Sequence, residues 1–321
     1  MDILYWLGGG FLTLCLIVLA TAYVCYRMAF YASDKDKAHK QEYPIPEGEI
    51  YAPYRESMIG WIKEVRQMPR EAMEITSHDG LTLRGYYYEY APDAPIELMF
   101  PGYRGDAERD LCGGVQRCFA LGHSALIVDQ RACGRSDGHV ISFGINESKD
   151  CLRWLEAMLD RFGPDVKIIL TGISMGAATV MIASGTDLPK NVIGVLADCG
   201  YTSAKEIIQK VIAEDMKLPP KAAYPFVKLG ARIFGKFDLE ETSPTEAVRR
   251  SKVPVVFAHG DADAYVPCYM SEVNYETCAS YKRLIIVPGA GHGLCYPIDP
   301  ENYLKKLKDF WTDVAALPAG K

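Results

Sequence analysis

Two serines sit in the pattern Gly-x-Ser-x-Gly, one as Gly172-Ile173-Ser174-Met175-Gly176 and one as Gly134-Arg135-Ser136-Asp137-Gly138. A serine hydroxyl attacks a carbonyl carbon only when a base removes its proton, and that base needs an acid to orient it. His292, in Pro288-Gly289-Ala290-Gly291-His292-Gly293, is the candidate base, and Asp263, in His259-Gly260-Asp261-Ala262-Asp263, the candidate acid. Together with a serine they would cleave an ester, thioester or amide bond through an acyl intermediate.

Context separates the two serines. The nucleophile pattern has to follow a buried strand and open a helix, so that a sharp turn presents the hydroxyl. VKIILTGISMGAATVMIAS has that form, with glycines where a Cβ would crowd the turn. DQRACGRSDGHVISFG has charges beside the serine and no helix after it, so Ser136 is read as a loop residue near the site. His292 is favoured because it follows the last expected strand in a glycine-lined loop. His39 and His78 come before the body or beside its first hairpin, His123 precedes a strand, His139 lies in a polar loop and His259 ends a strand. For the acid, Asp261 is the second choice as a turn former and Asp198, ending an earlier strand, the third. The oxyanion needs two preorganised N–H donors. The expected pair is the amide of Met175 and that of Tyr103, within Pro101-Gly102-Tyr103-Arg104-Gly105.

The elements that must hold these residues alternate. Asp79-Gly80 marks a hairpin between Glu71–Ser77 and Leu81–Tyr90. Short apolar runs at Ile96–Phe100, Ala125–Val128, Val166–Leu170, Val192–Leu196, Val255–Ala258 and Leu284–Val287 read as strands. Helical patterns cover Cys151–Leu159 and Asn302–Val314. An antiparallel start followed by β/α alternation implies a mostly parallel sheet covered on both faces, with its site at the carboxyl ends of the strands.

PGYRGD, DQRACGRSDG, TGISMGAATV, HGDADAYVP and PGAGHG, in that order, resemble the α/β-hydrolase superfamily, and within it the single-span ABHD-type and bacterial membrane-anchored hydrolases. The resemblance covers roughly residues 70 to 315. It implies an α/β-hydrolase fold with a small helical cap and a Ser174, Asp263, His292 triad, and hence a serine hydrolase of carboxylic esters. A serine peptidase resembling aminopeptidases and a non-catalytic, ligand-binding relative are the alternatives. Many relatives carry His-Gly where this chain has Pro101-Gly102, which bears on the oxyanion hole. Residues 199–252 resemble the family's cap. Their apolar residues, Ile207, Ile208, Val211, Ile212, Met216, Leu218, Tyr224, Phe226, Val227, Leu229, Ile233 and Phe234, either pack it onto the body or line an acyl pocket, and packing is favoured.

Ahead of the body, Ile3 to Phe30 carries a single charge, Arg27, and is long enough to cross a bilayer. Tyr5, Trp6, Tyr23, Tyr26 and Tyr31 lie near its ends, as interfacial aromatics do. The segment lacks the basic start and small-residue end of a signal peptide. Arg27, Lys35, Lys37 and Lys40 follow the span, which places the body in the cytoplasm by the positive-inside rule. The expected organisation is an anchor over 1–32, a tether with an amphipathic helix over 33–69 and a catalytic domain over 70–321. Met58, Ile59, Ile62 and Val65 give that helix an apolar stripe, expected to pack onto the body. A formal net charge of −6 without basic runs argues against a nucleic-acid partner. The ten cysteines form no Cys-x-x-Cys, so no metal or cofactor is expected. The expected partners are an acyl substrate, lipid-derived in view of the tether, and the membrane.

Overall fold

The computed structural model describes residues 2–37 and 41–317, so Lys40 and His39 lie outside the described residues, as do the last four. Eight strands form one sheet in the order β1-β2-β4-β3-β5-β6-β7-β8. They are β1 (Glu71–Thr76), β2 (Thr82–Tyr88), β3 (Ile96–Phe100), β4 (Ser124–Val128), β5 (Ile168–Ile173), β6 (Val192–Asp198), β7 (Val255–Gly260) and β8 (Lys282–Val287). β2 is antiparallel to both β1 and β4, and every pairing from β4 to β8 is parallel.

Among the described residues the α-helices are α1 (Asp2–Ala29), α2 (Asp34–Lys37), α3 (Arg55–Gln67), α4 (Ala107–Leu121), α5 (Ile145–Phe162), α6 (Met175–Ser184), α7 (Ala204–Glu214), α8 (Pro220–Gly230), α9 (Pro244–Val248), α10 (Tyr269–Thr277), α11 (Cys295–Ile298) and α12 (Pro300–Ala316). Side chains alternate across each strand, so the sheet has two apolar faces. Leu98, Phe100, Leu126, Leu170, Val195 and Phe257 meet Trp154, Leu155, Val180 and Met181 of α5 and α6. Met99, Ile127, Leu196, Val256 and Ala258 meet Ile62, Leu111, Val115, Tyr303 and Phe310 of α3, α4 and α12.

Three features depart from, or refine, the sequence reading. Helix α4 was not read from the sequence, where Gly113-Gly114 breaks its propensity. Asp106 caps it, accepting from the amides of Glu108 and Arg109. The stretch ahead of α3, read as a tether, instead makes a short 3-10 turn at Glu49–Tyr54, and Pro46, Gly48, Ile50 and Tyr51 wall a cavity. Helix α1 is long and apolar enough to cross a membrane, but its last turns are part of the body. Tyr26 and Phe30 are buried with Ile207, Ile208, Tyr224 and Val227 of α7 and α8.

Candidate active site

Ser174 occupies the turn between β5 and α6 with φ 57° and ψ −114°, a conformation an L-residue avoids unless its surroundings impose it. The surroundings are close-packed. A Cβ on Gly172 would lie 2.1 Å from the Gly176 carbonyl carbon, and one on Gly176 would lie 2.1 Å from the Phe100 oxygen. Both flanking glycines are therefore needed for strand, turn and helix to meet. The Ser174 amide is fixed on the Asp198 carbonyl at 2.8 Å.

Asp263 and His292 come from the loops after β7 and β8. His292 Nδ1 is 2.7 Å from Asp263 Oδ2. Asp263 Oδ1 accepts from the amides of Tyr265 and Val266, both at 2.9 Å. Burial pushes the Asp263 carboxyl up, but hydrogen bonds from His259 and His292 and the backbone outweigh it and hold it well below the usual carboxylate range. An ionised Asp263 facing Nδ1 favours the tautomer with its proton there, leaving Nε2 as the acceptor. Tyr51 donates to the His292 carbonyl at 3.0 Å, and the Tyr265 ring lies 5.1 Å from the imidazole.

Ser174, His292, Gly102 and Tyr103 line one cavity of about 540 Å³. The Gly102 amide is already taken by Asp110 Oδ2 at 3.0 Å, leaving Tyr103 as the next amide in that loop. Pro101 keeps its carbonyl on Gln130 Nε2 at 2.7 Å, and Gln130 Oε1 accepts from Thr179 of α6. Met175 is buried at the start of α6.

The rival residues are engaged elsewhere. Ser136 donates to the Asp129 carbonyl and accepts from the Arg84 amide, stitching β2 to the loop after β4, and it does not line the cavity. Asp261 accepts from the Gly289 amide at 2.6 Å, a bond that ties the two loops carrying Asp263 and His292. Asp198 accepts from the Tyr303 hydroxyl at 2.8 Å. None of the twelve apolar residues of segment 199–252 considered for an acyl pocket lines the cavity. Its wall is made instead by Met58, Trp61, Met99, Leu196 and Tyr296, on the other face of the sheet.

Sequence reasoning set His259 aside as a strand end and missed its place beside the acid: it is fully buried with Nε2 3.2 Å from Asp263 Oδ2 and 2.8 Å from the Val266 carbonyl. Its place at the end of an expected strand, four residues before Asp263, was the available signal. Among the described residues, two groups have metal-ligand residue types. Cys199, Asp263 and His292 lie within 4.8 Å of one another, but burial raises the Cys199 thiol and so keeps it protonated. His78, Asp79 and Asp150 already surround the Arg131 guanidinium, which supplies their cation.

The chain is 25% identical over 256 residues to the uncharacterized protein YqkD of Bacillus subtilis, spanning 76% of this chain and 80% of that one. It is 25% identical over 289 residues to the protein bem46 of Schizosaccharomyces pombe, spanning 88% and 84%. Among solved structures, the esterase Pf2001 of Pyrococcus furiosus aligns with a TM-score of 0.65 at 20% identity, over 86% of this chain and 99% of its own. Residues 98–305, from β3 into α12, match the model of the alpha/beta hydrolase family, and the chain belongs to that family.

Proposed function

We propose that the protein is a membrane-anchored serine hydrolase of acyl esters, with Ser174 as nucleophile, His292 as base and Asp263 as the acid that orients it. The observation that carries this reading is the strained Ser174 turn opening on the same cavity as His292, whose Nδ1 is held by Asp263. Ser174 Oγ adds to the ester carbonyl carbon while its proton passes to His292 Nε2. The resulting oxyanion takes hydrogen bonds from the Tyr103 and Met175 amides. Collapse breaks the bond to the leaving oxygen, which receives the proton from Nε2. Water then repeats the sequence on the acyl-enzyme and returns free Ser174.

The apolar cavity wall supports an acyl group over a peptide, and the esterase neighbour supports the same class. Helix α1 supports anchoring, since residues 2 to 21 cover about 30 Å along a helix and precede the buried end. The Lys/Arg bias supports a cytoplasmic body. A fluorophosphonate probe should label the wild type and not Ser174→Ala, and equal labelling would sink the reading. Comparing p-nitrophenyl acyl esters with aminoacyl anilides then separates esterase from peptidase. Faster cleavage of the anilides would overturn the ester assignment.

A further inference from the structure

Four buried side-chain polar atoms lack a hydrogen-bond partner among the described residues, and two of them, Arg117 Nη1 and Asp198 Oδ1, belong to residues lining the cavity that holds Ser174. A buried polar atom left without a partner costs stability, so a donor and an acceptor of this kind on residues lining one cavity call for a partner.

Both groups are held rigidly. Arg117 Nη2 donates to Glu97 Oε2 at 2.6 Å, and Glu97, wholly buried in the middle of the sheet, is completed by Thr171 Oγ1 at 2.8 Å and His123 Nδ1 at 2.8 Å. Glu97 thus neutralises and orients the guanidinium and leaves Nη1 over. The Tyr303 hydroxyl donates to Asp198 Oδ2 and the Cys295 thiol also hydrogen-bonds the carboxyl, while Oδ1 has no nitrogen or oxygen donor among the described residues. Thr171, which shares this wall, precedes Ser174 by three residues along β5, or about 10 Å of strand. Met99, Ile173, Trp61 and Leu196 supply apolar wall to the same cavity, beside the charged Arg109 and Asp110.

We infer that this wall is a second recognition point, at which Arg117 and Asp198 bind a neutral group that both accepts and donates, a hydroxyl or a carboxamide, at the far end of a medium-length acyl chain. Such a group accepts from Arg117 Nη1 and donates to Asp198 Oδ1. A carboxylate would face the Asp198 carboxyl, and an ammonium would face the guanidinium. The inference rests on the reading of Ser174 as the attacking atom for the direction of the chain, but the binding itself can be read without catalysis. It deepens that reading by making the substrate an oxygenated acyl ester rather than a plain fatty one.

The test measures binding of 1,8-octanediol and 1-octanol by calorimetry to the full chain in lipid nanodiscs, carrying Ser174→Ala. The same pair is measured with Asp198→Leu added and, separately, with Arg117→Met added. Partitioning into lipid is common to all three proteins, so the comparison is the ratio of the two dissociation constants. The preference for the diol should fall by about tenfold in either variant, as expected when one net hydrogen bond of this kind is lost. An unchanged ratio in the variant or variants that fold overturns the inference and identifies the polar wall as a water site. Octanoate binding more tightly than the diol, with the advantage lost in Arg117→Met, overturns the neutral class. Fluorophosphonate labelling of the wild type reads the Ser174 chemistry separately. Its failure beside a persisting diol preference would sink the hydrolase reading and keep this one.

Discussion

Asp263 and Asp198 are both buried carboxylates at the ends of neighbouring parallel strands, and their surroundings push them in opposite directions. Asp263 is met by two imidazoles and two backbone amides, and its carboxyl is held low. Asp198 is dominated by burial, which its hydrogen bonds do not offset, and its carboxyl is raised. A raised carboxyl means that the folded state holds the proton more tightly than the unfolded chain. Stability from it is fully present below the ordinary carboxylate value near 4 and is lost as pH rises from there through the raised folded value. Asp198→Asn should therefore raise Tm at pH 7, with the gap from wild type closing toward pH 3. A gap independent of pH would show that this group does not titrate on folding. For Asp263 the sign reverses, because its contribution is present above pH 4 and is lost below it. Asp263→Asn should lower Tm at pH 7 and cut kcat by about 10⁴-fold, since Nδ1 would lose the acceptor that sets the tautomer. A fall in Tm with kcat retained would reduce Asp263 to a structural role.

At the scale of elements, the site depends on backbones that approach closely. Gly176 lets the start of α6 touch the end of β3, and a Cβ there would overlap the Phe100 carbonyl. Gly176→Ala should destabilise the fold by about 3 kcal/mol or more, readable as a lower denaturant midpoint. Gly113 acts differently. A Cβ on α4 would meet the Trp61 ring at 2.8 Å, a side chain that can shift, and Trp61 lines the cavity. Gly113→Ala should therefore leave the fold in place and shift ester preference toward shorter acyl chains in a p-nitrophenyl series. An unchanged chain-length profile would show that the ring moves away from the cavity.

For the whole molecule, the apolar helix α1 and the hydrolase-fold body are joined rather than strung together. The Tyr103 hydroxyl donates to the Ala29 carbonyl at 2.9 Å, and Arg104 Nη2 donates to the carbonyls of Met28 and Tyr31. The loop expected to supply an oxyanion donor is thus tied to the end of the apolar helix. Removing residues 2–20 should release the protein from membranes with the fold and esterase activity retained, because Ala22, Tyr26 and Phe30 still pack. Removing residues 2–30 exposes the surface of α7 and α8 that Tyr26 and Phe30 cover. It should cost about 3–5 kcal/mol or more, by analogy with large-to-small core changes, and lower kcat as well. Equal stability and activity of the two truncations, measured by thermal melts and p-nitrophenyl ester assay, would show that the contact is incidental.

What the sequence determined about this protein follows from local rules. Strand runs, turn glycines and the order Ser174, Asp263, His292 are patterns that neighbouring residues impose on one another, so the sheet and the proposed site were legible. Helix α4 was hidden because Gly113-Gly114 lowers helix propensity, and it persists because tertiary packing of Leu111, Val115 and Cys118 outweighs that cost. Only the tertiary structure decided which apolar residues wall the cavity. The residues of segment 199–252 and those of α3, α4 and β3 are equally apolar as text, and the side of the sheet each element packs on is set by chain crossings far apart in sequence. For the same reason Glu97, Arg117 and Asp198, each unremarkable in its own segment, become a polar wall only when strands β3 and β6 and helix α4 are brought together.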